Sequence, residues 1–370
     1  MKILYVISST ETGGAEKALC QLAVSMQKNG HAVRILCLKP LGVVAEDLQK
    51  EGIHVASLSN SKLPGKTIKK IKREILSFKP DVVHAMLFRA MMYTRMACAG
   101  LSVKLITTPH FNLAQKSIFH RWTDFLLKGV DTLTIAESHT TARYLINHQH
   151  YRKDKVFLLP NSVDKTRFYR DENIRNSMRE KQQFSRENFV FLCVARLDPL
   201  KDPLALLQAF RNIHKTCLDC KLVYVGEGAE RAKMEKYIRL NNMGGNVWLA
   251  GEIEDINNYL NMADAFVLPS REESLPLALL EALCVGLPCL VSNAGDMPLW
   301  VEHGKNGYVC PAGDITLLSC FMKELSSNRD LREKMGQESL KKAATLGETF
   351  QQYRQIYQQI VSNSFHVKTN

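Results

Sequence analysis

The stretch that decides the fold reads Asp264-Ala-Phe-Val-Leu-Pro-Ser-Arg-Glu-Glu-Ser-Leu-Pro-Leu-Ala-Leu-Leu-Glu-Ala-Leu283. Its first part is a short apolar run suited to a buried strand, and the leucines at 277, 279, 280 and 283 favour a helix. A strand that leads directly into a helix is the repeating unit of an open α/β sheet. In such a sheet, ligands bind at the carboxyl ends of the strands.

Two glutamates, Glu273 and Glu281, lie across the predicted start of this helix with seven residues between them. Backbone N–H groups at a helix start attract anions, so two acids there are better suited to holding hydroxyl groups than phosphate. A sugar and a ribose both supply such hydroxyls. The alternative is that Glu273 only stabilises the helix start and Glu281 is a solvated helix residue. Glu281 is flanked by Leu280 and Ala282, which favours a hydrogen-bonded acid in a largely buried helix.

The chain has 370 residues, a length that suggests two domains. Apolar runs alternate with helical periodicities through both halves, which predicts an α/β fold of two doubly wound, Rossmann-like domains facing a cleft. We place the first domain at 1–165, a linker at 166–187, the second domain at 188–345, and a helical tail at 346–370 that packs back towards the first. Strands are predicted at 3–7, 32–38, 53–58, 81–84, 103–108, 132–136, 156–159, 189–195, 222–225, 247–249, 265–268, 289–291 and 308–309.

The net charge of +12 belongs entirely to the first half of the chain. Residues 1–165 carry 24 Lys and Arg against 12 Asp and Glu, whereas residues 166–370 carry 25 of each. Within the first half, 61–79 has a net charge of +6 and apolar residues at helical spacing, which predicts a basic amphipathic helix. The apolar face is assigned to Ile68, Ile71, Ile75 and Leu76, and the basic face to Lys62, Lys66, Lys69, Lys70 and Arg73.

Such a helix is either a solvated surface helix or a contact with anionic lipid headgroups. No recognition helix or aromatic-studded strand accompanies the charge, so we expect no nucleic acid partner. No apolar run approaches the roughly 18 residues of a membrane span, and the run at 3–7 is too short for a signal peptide. We therefore expect a cytoplasmic protein bound peripherally to the inner face of the cell membrane.

Most of the ten cysteines sit within apolar strands or helices, where we expect reduced core thiols. The Cys217-Leu-Asp-Cys220 pair has no second pair and no histidine at zinc spacing, and is explained by a loop after a helix. No Asp-X-Asp sequence occurs. No metal site is predicted.

Three loops after predicted strands carry candidate binding residues. Gly13-Gly14 precedes a helix and lets the backbone approach an anion closely, although a turn that merely needs flexible residues explains the pair equally well. Arg196 and Lys201 follow the first strand of the second domain, a suitable pair for a diphosphate. Gly226-Glu227-Gly228 is glycine-rich but is not a Rossmann fingerprint, because position 231 is arginine.

In chain order, the motifs are Gly13-Gly14-Ala15-Glu16, Pro160-Asn-Ser-Val-Asp164, Arg196 with Lys201, Gly226-Glu-Gly228, Glu273 with Glu281, Gly286-Leu-Pro288 and Asn306-Gly307. As a set they resemble glycosyltransferase family 4, the retaining nucleotide-sugar transferases of GT-B fold, over nearly the whole chain. The resemblance implies sugar transfer from a nucleotide-diphosphate donor, UDP in preference to GDP. It also implies retention at the anomeric carbon, without a metal or other cofactor.

The same resemblance gives roles to individual residues. Arg196 and Lys201 would hold the diphosphate, and preorganised cations also suit the negative charge that develops on a departing nucleoside diphosphate. Glu281 would bind the donor ribose, Glu273 the transferred sugar, and His110 would lie near that sugar, either to position it or to act chemically. The remaining donor-binding candidates are Gly13, Gly14, Gly226, Glu227, Ser274, Leu275, Pro276 and Leu277.

One departure from the family's usual sequence affects the predicted binding of the sugar. Family members often carry Glu-Gly-Phe where this chain has Glu273-Ser274-Leu275, which leaves the placement of the sugar open. We expect a hexosyl- or N-acetylhexosaminyltransferase that adds one sugar to a lipid-linked or surface-polysaccharide precursor, the acceptor being inferred from the basic helix. Two alternatives stay open, a nucleotide-sugar epimerase of the same architecture and a non-catalytic nucleotide-sugar-binding protein.

Overall fold

The first half of the chain folds around a seven-stranded sheet in the computed structural model, which describes residues 1–11, 13–59, 63–110, 117–215, 217, 219–347 and 349–364. The strands are β1 (Lys2–Ile7), β2 (Ala32–Cys37), β3 (His54–Ser57), β4 (Val82–Met86), β5 (Lys104–Thr108), β6 (Leu133–Ala136) and β7 (Val156–Leu158). They are parallel throughout and run in the order β3-β2-β1-β4-β5-β6-β7. Apolar side chains point to both sides of the central strands, as a parallel sheet covered on both faces requires.

Helices cover both faces of this sheet. They are α1 (Gly14–Lys28), α2 (Val43–Lys50), α3 (Pro64–Phe78), α4 (Phe88–Cys98), α5 (Ile118–Leu127) and α6 (His139–Asn147). The apolar residues of α1 and α2 join one core cluster, whereas those of α3 and α4 join another on the opposite face. The unit that residues 1–161 form also contains the last helix of the chain, α15 (Thr349–Val361), which packs against α1.

The second unit, Ser162–Gly347, is built on a six-stranded sheet. Its strands are β8 (Phe189–Val194), β9 (Cys220–Val225), β10 (Val247–Leu249), β11 (Ala265–Leu268), β12 (Cys289–Ser292) and β13 (Gly307–Cys310), parallel in the order β10-β9-β8-β11-β12-β13. Its helices are α7 (Glu172–Lys181), α8 (Pro203–His214), α9 (Arg231–Leu240), α10 (Ile256–Met262), α11 (Leu277–Cys284), α12 (Met297–Trp300), α13 (Ile315–Ser327) and α14 (Arg329–Ala344). The predicted fold of two doubly wound α/β domains is confirmed.

The stretch predicted as a linker, 166–187, belongs to the second unit. It contains α7, whose first turn is capped by the Asp171 carboxylate. Arg175 and Arg179 of this helix both pair with Asp264, at 2.5 and 3.0 Å, just before β11. These partly buried ion pairs attach the segment firmly to the second sheet.

Two details differ from what the sequence indicated. Cys217 and Cys220 form a disulfide, which the sequence pattern did not predict; their Cα atoms are 5.4 Å apart, within the range that such a bond needs. On α3, Leu76 is exposed instead of buried, and Phe78 takes the place in the core beside Ile71 and Ile75. None of the helices described is long and apolar enough to cross a membrane.

The order of strands reverses once in each sheet, between β1 and β4 in the first unit and between β8 and β11 in the second. Chain connections leave these neighbouring strands in opposite directions, which opens a crevice beyond their carboxyl ends. Ligands of doubly wound sheets bind there. The loops after β1, β8 and β11 are therefore the parts of the fold that matter most for function.

The loop after β12 packs against the loop after β11. Gly295 has a positive φ of 55°, and a Cβ there would lie 2.3 Å from the Glu273 carbonyl oxygen. The neighbouring Asp296 N–H donates to the Ser274 carbonyl oxygen at 2.9 Å. Only glycine permits this close approach, so Gly295 fixes the backbone position of Glu273.

A buried polar cluster ties α15 to the centre of the first sheet. His84 on β4 is fully buried, with Nδ1 2.6 Å from the Tyr357 hydroxyl of α15 and Nε2 2.8 Å from the Thr108 hydroxyl of β5. The Tyr357 hydroxyl in turn lies 3.4 Å from that of Tyr5 on β1. Burial lowers the pKa of His84 to about 3, with a smaller contribution from nearby His110, so the imidazole is neutral in the folded protein at pH 7.

Gly295→Ala should destabilise the protein more than Gly304→Ala. Both glycines have positive φ, but a Cβ at Gly304 meets nothing within 4 Å. Gly304→Ala then incurs only the left-handed backbone penalty of about 1–2 kcal/mol, whereas Gly295→Ala must also displace the Glu273–Ser274 backbone, at an added cost of about 1–3 kcal/mol. Urea unfolding of the two variants measures the difference, and equal stabilities would contradict the assigned role of Gly295.

Acidification should destabilise the fold through His84. Its pKa in the folded protein is lowered to about 3. Its contribution to the free energy of unfolding is therefore complete above pH 6.5 and is lost as the pH falls, because only the unfolded chain takes up the proton. At pH 5 the loss from this one group is about 2 kcal/mol. Urea unfolding at pH 7.5 and pH 5 should show that His84→Gln loses less stability between the two pH values than the wild type does, although the variant is the less stable protein at pH 7.5. His148→Gln, at an exposed position, should retain the full loss; an unchanged pH dependence in His84→Gln would refute the prediction.

Candidate active site

The two loops at the switch point of the second sheet are bonded to each other. The loop after β8 contains Arg196 and Lys201, and the loop after β11 contains Glu273. The Arg271 N–H donates to the Leu200 carbonyl oxygen at 2.8 Å, which joins the two loops through their backbones. Strand order thus brings together residues that the sequence analysis had selected separately.

Lys201 and Glu273 form an ion pair at the centre of this site. The Lys201 ammonium lies 2.7 Å from Glu273 Oε1, and the Ser270 hydroxyl donates to the same oxygen at 2.8 Å. The Glu273 side chain is buried and that of Lys201 nearly so. A carboxylate held by two donors has a fixed orientation, and a lysine that shares its charge with a neighbouring acid still has donors for a phosphate.

Arg196 lies at the exposed side of the same loop. Its guanidinium pairs with Asp198 at 3.0 Å, and the side chain is 67% exposed. Solvent screens such a pair, which holds the arginine only weakly. Arg196 is consequently free to turn its planar fork towards an incoming anion.

Glu281 is buried on α11, as the apolar residues around it predict. It lies one helical turn after Leu277, the first residue of the helix, so both share a face. Of the other candidates at this helix start, Leu275 is buried in the core and Pro276 occupies the N-cap position. Pro276 has no N–H, so it contributes no backbone donor at this helix start.

Gly226 and Gly228 place the end of β9 against the Arg196 loop. A Cβ at Gly226 would lie 2.1 Å from the Ala195 carbonyl oxygen, and one at Gly228 would lie 2.3 Å from that of Leu197. Leu197 N–H also donates to the Glu227 carbonyl oxygen at 2.8 Å. These glycines therefore support the loop that carries the cations. The Glu227 carboxylate pairs with Arg231 of α9.

The loop after β12 also contributes to the site, although none of its residues was predicted. Gly295 and Asp296 hold the backbone of Glu273 and Ser274 in place, and Asp296 is itself buried. The available signal was an Asn-Ala-Gly-Asp turn directly after an apolar strand, at the same sheet edge as the other candidate loops.

In the first unit, Gly13 and Gly14 lie after β1 at the corresponding switch point. Gly13 is the extended N-cap residue and Gly14 begins α1. A Cβ at Gly13 would lie 2.3 Å from Glu16 Oε2, in the first turn of α1. This turn thus places backbone N–H groups and one carboxylate at the sheet edge.

His110 follows β5 in the left-handed region, with φ of 50°. Its Nε2 atom is buried, and no hydrogen-bond partner for it lies within the described ranges. Burial lowers the pKa of His110 to about 4, so the ring is neutral at pH 7. A neutral imidazole can position a hydroxyl group by a hydrogen bond but carries no charge for a phosphate. His84 was not predicted as a residue of interest, because a single histidine within an apolar strand resembles an ordinary core residue.

The basic face of α3 points to solvent. Lys66, Lys69 and Arg73 are exposed and Lys70 is partly exposed, while Lys62 lies outside the described residues. The only acid of the helix, Glu74, pairs with Arg34 at 2.7 Å. Over the part of the chain that the structure describes, no three His, Cys, Asp or Glu side chains form a group that could hold a metal ion.

Two curated relatives illustrate the sequence similarity. The N-acetyl-alpha-D-glucosaminyl L-malate synthase of Bacillus anthracis is 26% identical over 273 residues, which are 71% of this chain and 69% of that protein. The UDP-Gal:alpha-D-GlcNAc-diphosphoundecaprenol alpha-1,3-galactosyltransferase of Escherichia coli is 31% identical over 248 residues, 64% of each protein.

Solved structures show the same fold. The crystal structure of Alr3699/HepE from Anabaena in complex with UDP and glucose matches with a TM-score of 0.87 at 19% identity, over 98% of this chain and all of that one. At this identity the match establishes the fold.

Two family models match successive parts of the chain. The model described as Glycosyltransferase Family 4 matches residues 12–167, and the one described as Glycosyl transferases group 1 matches residues 174–342. Together they span both units. The chain belongs to glycosyltransferase family 4, and it is a GT-B glycosyltransferase that uses a nucleotide-sugar donor.

Proposed function

We propose that the protein transfers one hexosyl or N-acetylhexosaminyl group from a UDP-sugar to a lipid-linked or surface-polysaccharide precursor, with retention at the anomeric carbon. The observation that carries this proposal is the Lys201–Glu273 ion pair beside exposed Arg196, at the carboxyl edge where β8 and β11 meet. It combines cations for a diphosphate with an oriented carboxylate for hydroxyl groups.

Lys201 and Arg196 act on the leaving group. As the bond from the anomeric carbon to the diphosphate oxygen breaks, negative charge grows on the nucleoside diphosphate. Cations already in place stabilise that charge, and one such group typically contributes about 3 kcal/mol to lowering the barrier. The leaving phosphate oxygen itself can take the proton of the acceptor hydroxyl, so no protein nucleophile is needed.

The acids hold the neutral parts of the donor. Glu281 accepts hydrogen bonds from the ribose hydroxyls, and its burial among apolar residues strengthens those bonds. Glu273 accepts from hydroxyls of the transferred sugar, with its orientation set by Lys201 and Ser270. Neutral His110 contributes one more hydrogen bond to the sugar.

The proposed acceptor and cellular location rest on other observations. The exposed cations of α3 suit an anionic membrane surface, and the galactosyltransferase relative acts, by its name, on a diphosphoundecaprenol-linked sugar. We place the enzyme peripherally at the inner face of the membrane, where it can reach a lipid-linked acceptor. UDP is favoured because the named donor of that relative is UDP-Gal.

Arg196→Ala should reduce kcat/KM for sugar transfer by about 100-fold or more, because one preorganised charge at the leaving group is lost. Arg329→Ala is the matched control, since Arg329 is likewise exposed and paired with a carboxylate in the same unit. The assay supplies UDP-, GDP- and ADP-sugars with a membrane lipid extract, and follows nucleotide release and product mass. NMR of the product reports the anomeric configuration.

Several results would overturn the proposal. Nucleotide release without an acceptor-linked product would indicate a different reaction, and an inverted product would exclude retention. Equal activity in Arg196→Ala and Arg329→Ala would remove Arg196 from the mechanism.

Glu281→Gln should weaken UDP binding by about tenfold, through lost charge-assisted hydrogen bonds, and unchanged binding would contradict the ribose assignment.

A further inference from the structure

Helix α5 presents its large apolar side chains to solvent. Ile118, Phe119, Trp122 and Leu126 are 72, 73, 62 and 70% exposed, and Phe125 is 43% exposed. They lie within ten residues, on successive turns of a single helix. Soluble surfaces rarely expose so many large apolar groups together, and such patches mark interaction sites.

The orientation of α5 is fixed by its one buried polar residue. The Asp124 carboxylate accepts from the Arg95 guanidinium at 2.7 Å and from the Tyr151 hydroxyl at 2.8 Å. Arg95 is fully buried and also makes a bidentate pair with Asp131, at 2.8 and 2.5 Å. Turning the apolar face inwards would withdraw Asp124 from this network and leave Arg95 partly uncompensated, which is strongly unfavourable.

One cationic side chain borders the exposed face. A groove beside α5 is lined by Ile118, Arg121, Trp122 and Phe125 from the helix, with His148 and His150 from the turn after α6. Among the described residues that line this groove, none is acidic. The one acid of α5, Asp124, is buried. Apolar side chains bordered by an arginine match an anionic amphiphile, whose chains meet the rings and whose phosphate meets the guanidinium.

The basic helix α3 lies on the same face of the first sheet. Both α3 and α5 pack against α4, the latter through an edge-on contact of His120 with Phe88 at 5.0 Å. Ile71 of α3 and Leu127 of α5 belong to the same apolar layer. Both helices consequently belong to one layer on the same face of the first sheet.

We propose that α5 inserts into the interface of an anionic phospholipid bilayer, with Phe119, Trp122 and Leu126 between the headgroups and the acyl chains. At ten residues, or about 15 Å, the helix is too short to span and lies in the membrane plane. The groove holds a lipid phosphate at Arg121. A second copy of the chain is a poorer occupant, because a stable interface needs about 800 Å² per partner, more than one face of a short helix provides. This inference rests on the proposed function, because a lipid-linked acceptor gives the enzyme a reason to bind a membrane. The test of membrane binding does not depend on turnover.

The test compares two leucines of equal exposure. Leu126 and Leu240 are both 70% exposed, the first on α5 and the second at the end of α9 in the other unit. Leu126→Ser should lower partitioning to vesicles of phosphatidylglycerol and phosphatidylcholine by about tenfold, the effect of withholding one leucine from an apolar phase. Leu240→Ser should partition as the wild type does. Trp122 fluorescence, assigned by its loss in Trp122→Ser, should shift to shorter wavelength and be quenched by brominated acyl chains.

Salt separates insertion from surface attraction. The triple variant Lys66→Gln, Lys69→Gln and Arg73→Gln should lose binding mainly at low salt, whereas Leu126→Ser should bind weakly at every salt concentration. Wild-type partitioning by Leu126→Ser, an equal loss in Leu240→Ser, or a Trp122 emission that vesicles leave unchanged would each overturn the proposal. A lipid-free dimer that Leu126→Ser converts to a monomer would also overturn it, because the face would then join two copies.

Activity in detergent distinguishes this inference from the proposed function. With a detergent-dispersed acceptor, Leu126→Ser should transfer sugar at the wild-type rate, since the Leu126 side chain is 70% exposed and has no assigned role in donor binding. If the wild type transfers no sugar but binds vesicles through α5, the proposed function fails and the membrane contact stands. If it transfers sugar and Leu126→Ser binds vesicles normally, the membrane contact fails and the transferase stands.

Discussion

The single reversal of strand order in each parallel sheet is the constraint on which the rest of the structure depends. Crossover connections leave β8 and β11 in opposite directions, so their loops border one crevice at the sheet edge. This brings Lys201 within 2.7 Å of Glu273 across 72 positions of sequence. The backbone bond from Arg271 to Leu200 then fixes the distance between the loops. The site is thus a consequence of topology, because the strand order places these side chains at the crevice.

Charge within this site is balanced before any ligand arrives. Each basic side chain on the two loops pairs with a carboxylate: Arg196 with Asp198, Lys201 with Glu273 and Arg271 with Asp202. The Lys201–Glu273 pair is the least exposed of the three, and an unpaired charge there would be unfavourable. In the proposed mechanism, a diphosphate carries more charge than one carboxylate and competes for the same cations. Its binding would release Glu273 from part of its ionic partnership, so that this acid could accept hydrogen bonds from hydroxyl groups of the sugar.

How much could be predicted from the sequence varies with the range of the interactions involved. The strands and the positions of Lys201, Glu273 and Glu281 were predictable, because apolar runs ending in loops and helix starts are local patterns. Gly295 was not, since its role depends on a backbone from another loop. The orientation of α5 could not be predicted either. Its apolar composition resembles a core helix, and its aspartate is buried because it pairs with Arg95 and Tyr151, which are distant in sequence.

The two surfaces proposed to meet a membrane act over different distances. The lysines of α3 attract anionic headgroups across about 8 Å of physiological salt solution, and this attraction weakens as salt rises. The rings of α5 gain nothing until they leave water, and their gain is largely independent of salt. Charge therefore governs approach and apolar insertion governs residence. Because α3 and α5 both pack against α4, the spacing of the two proposed contacts is set by the helical layer that holds them.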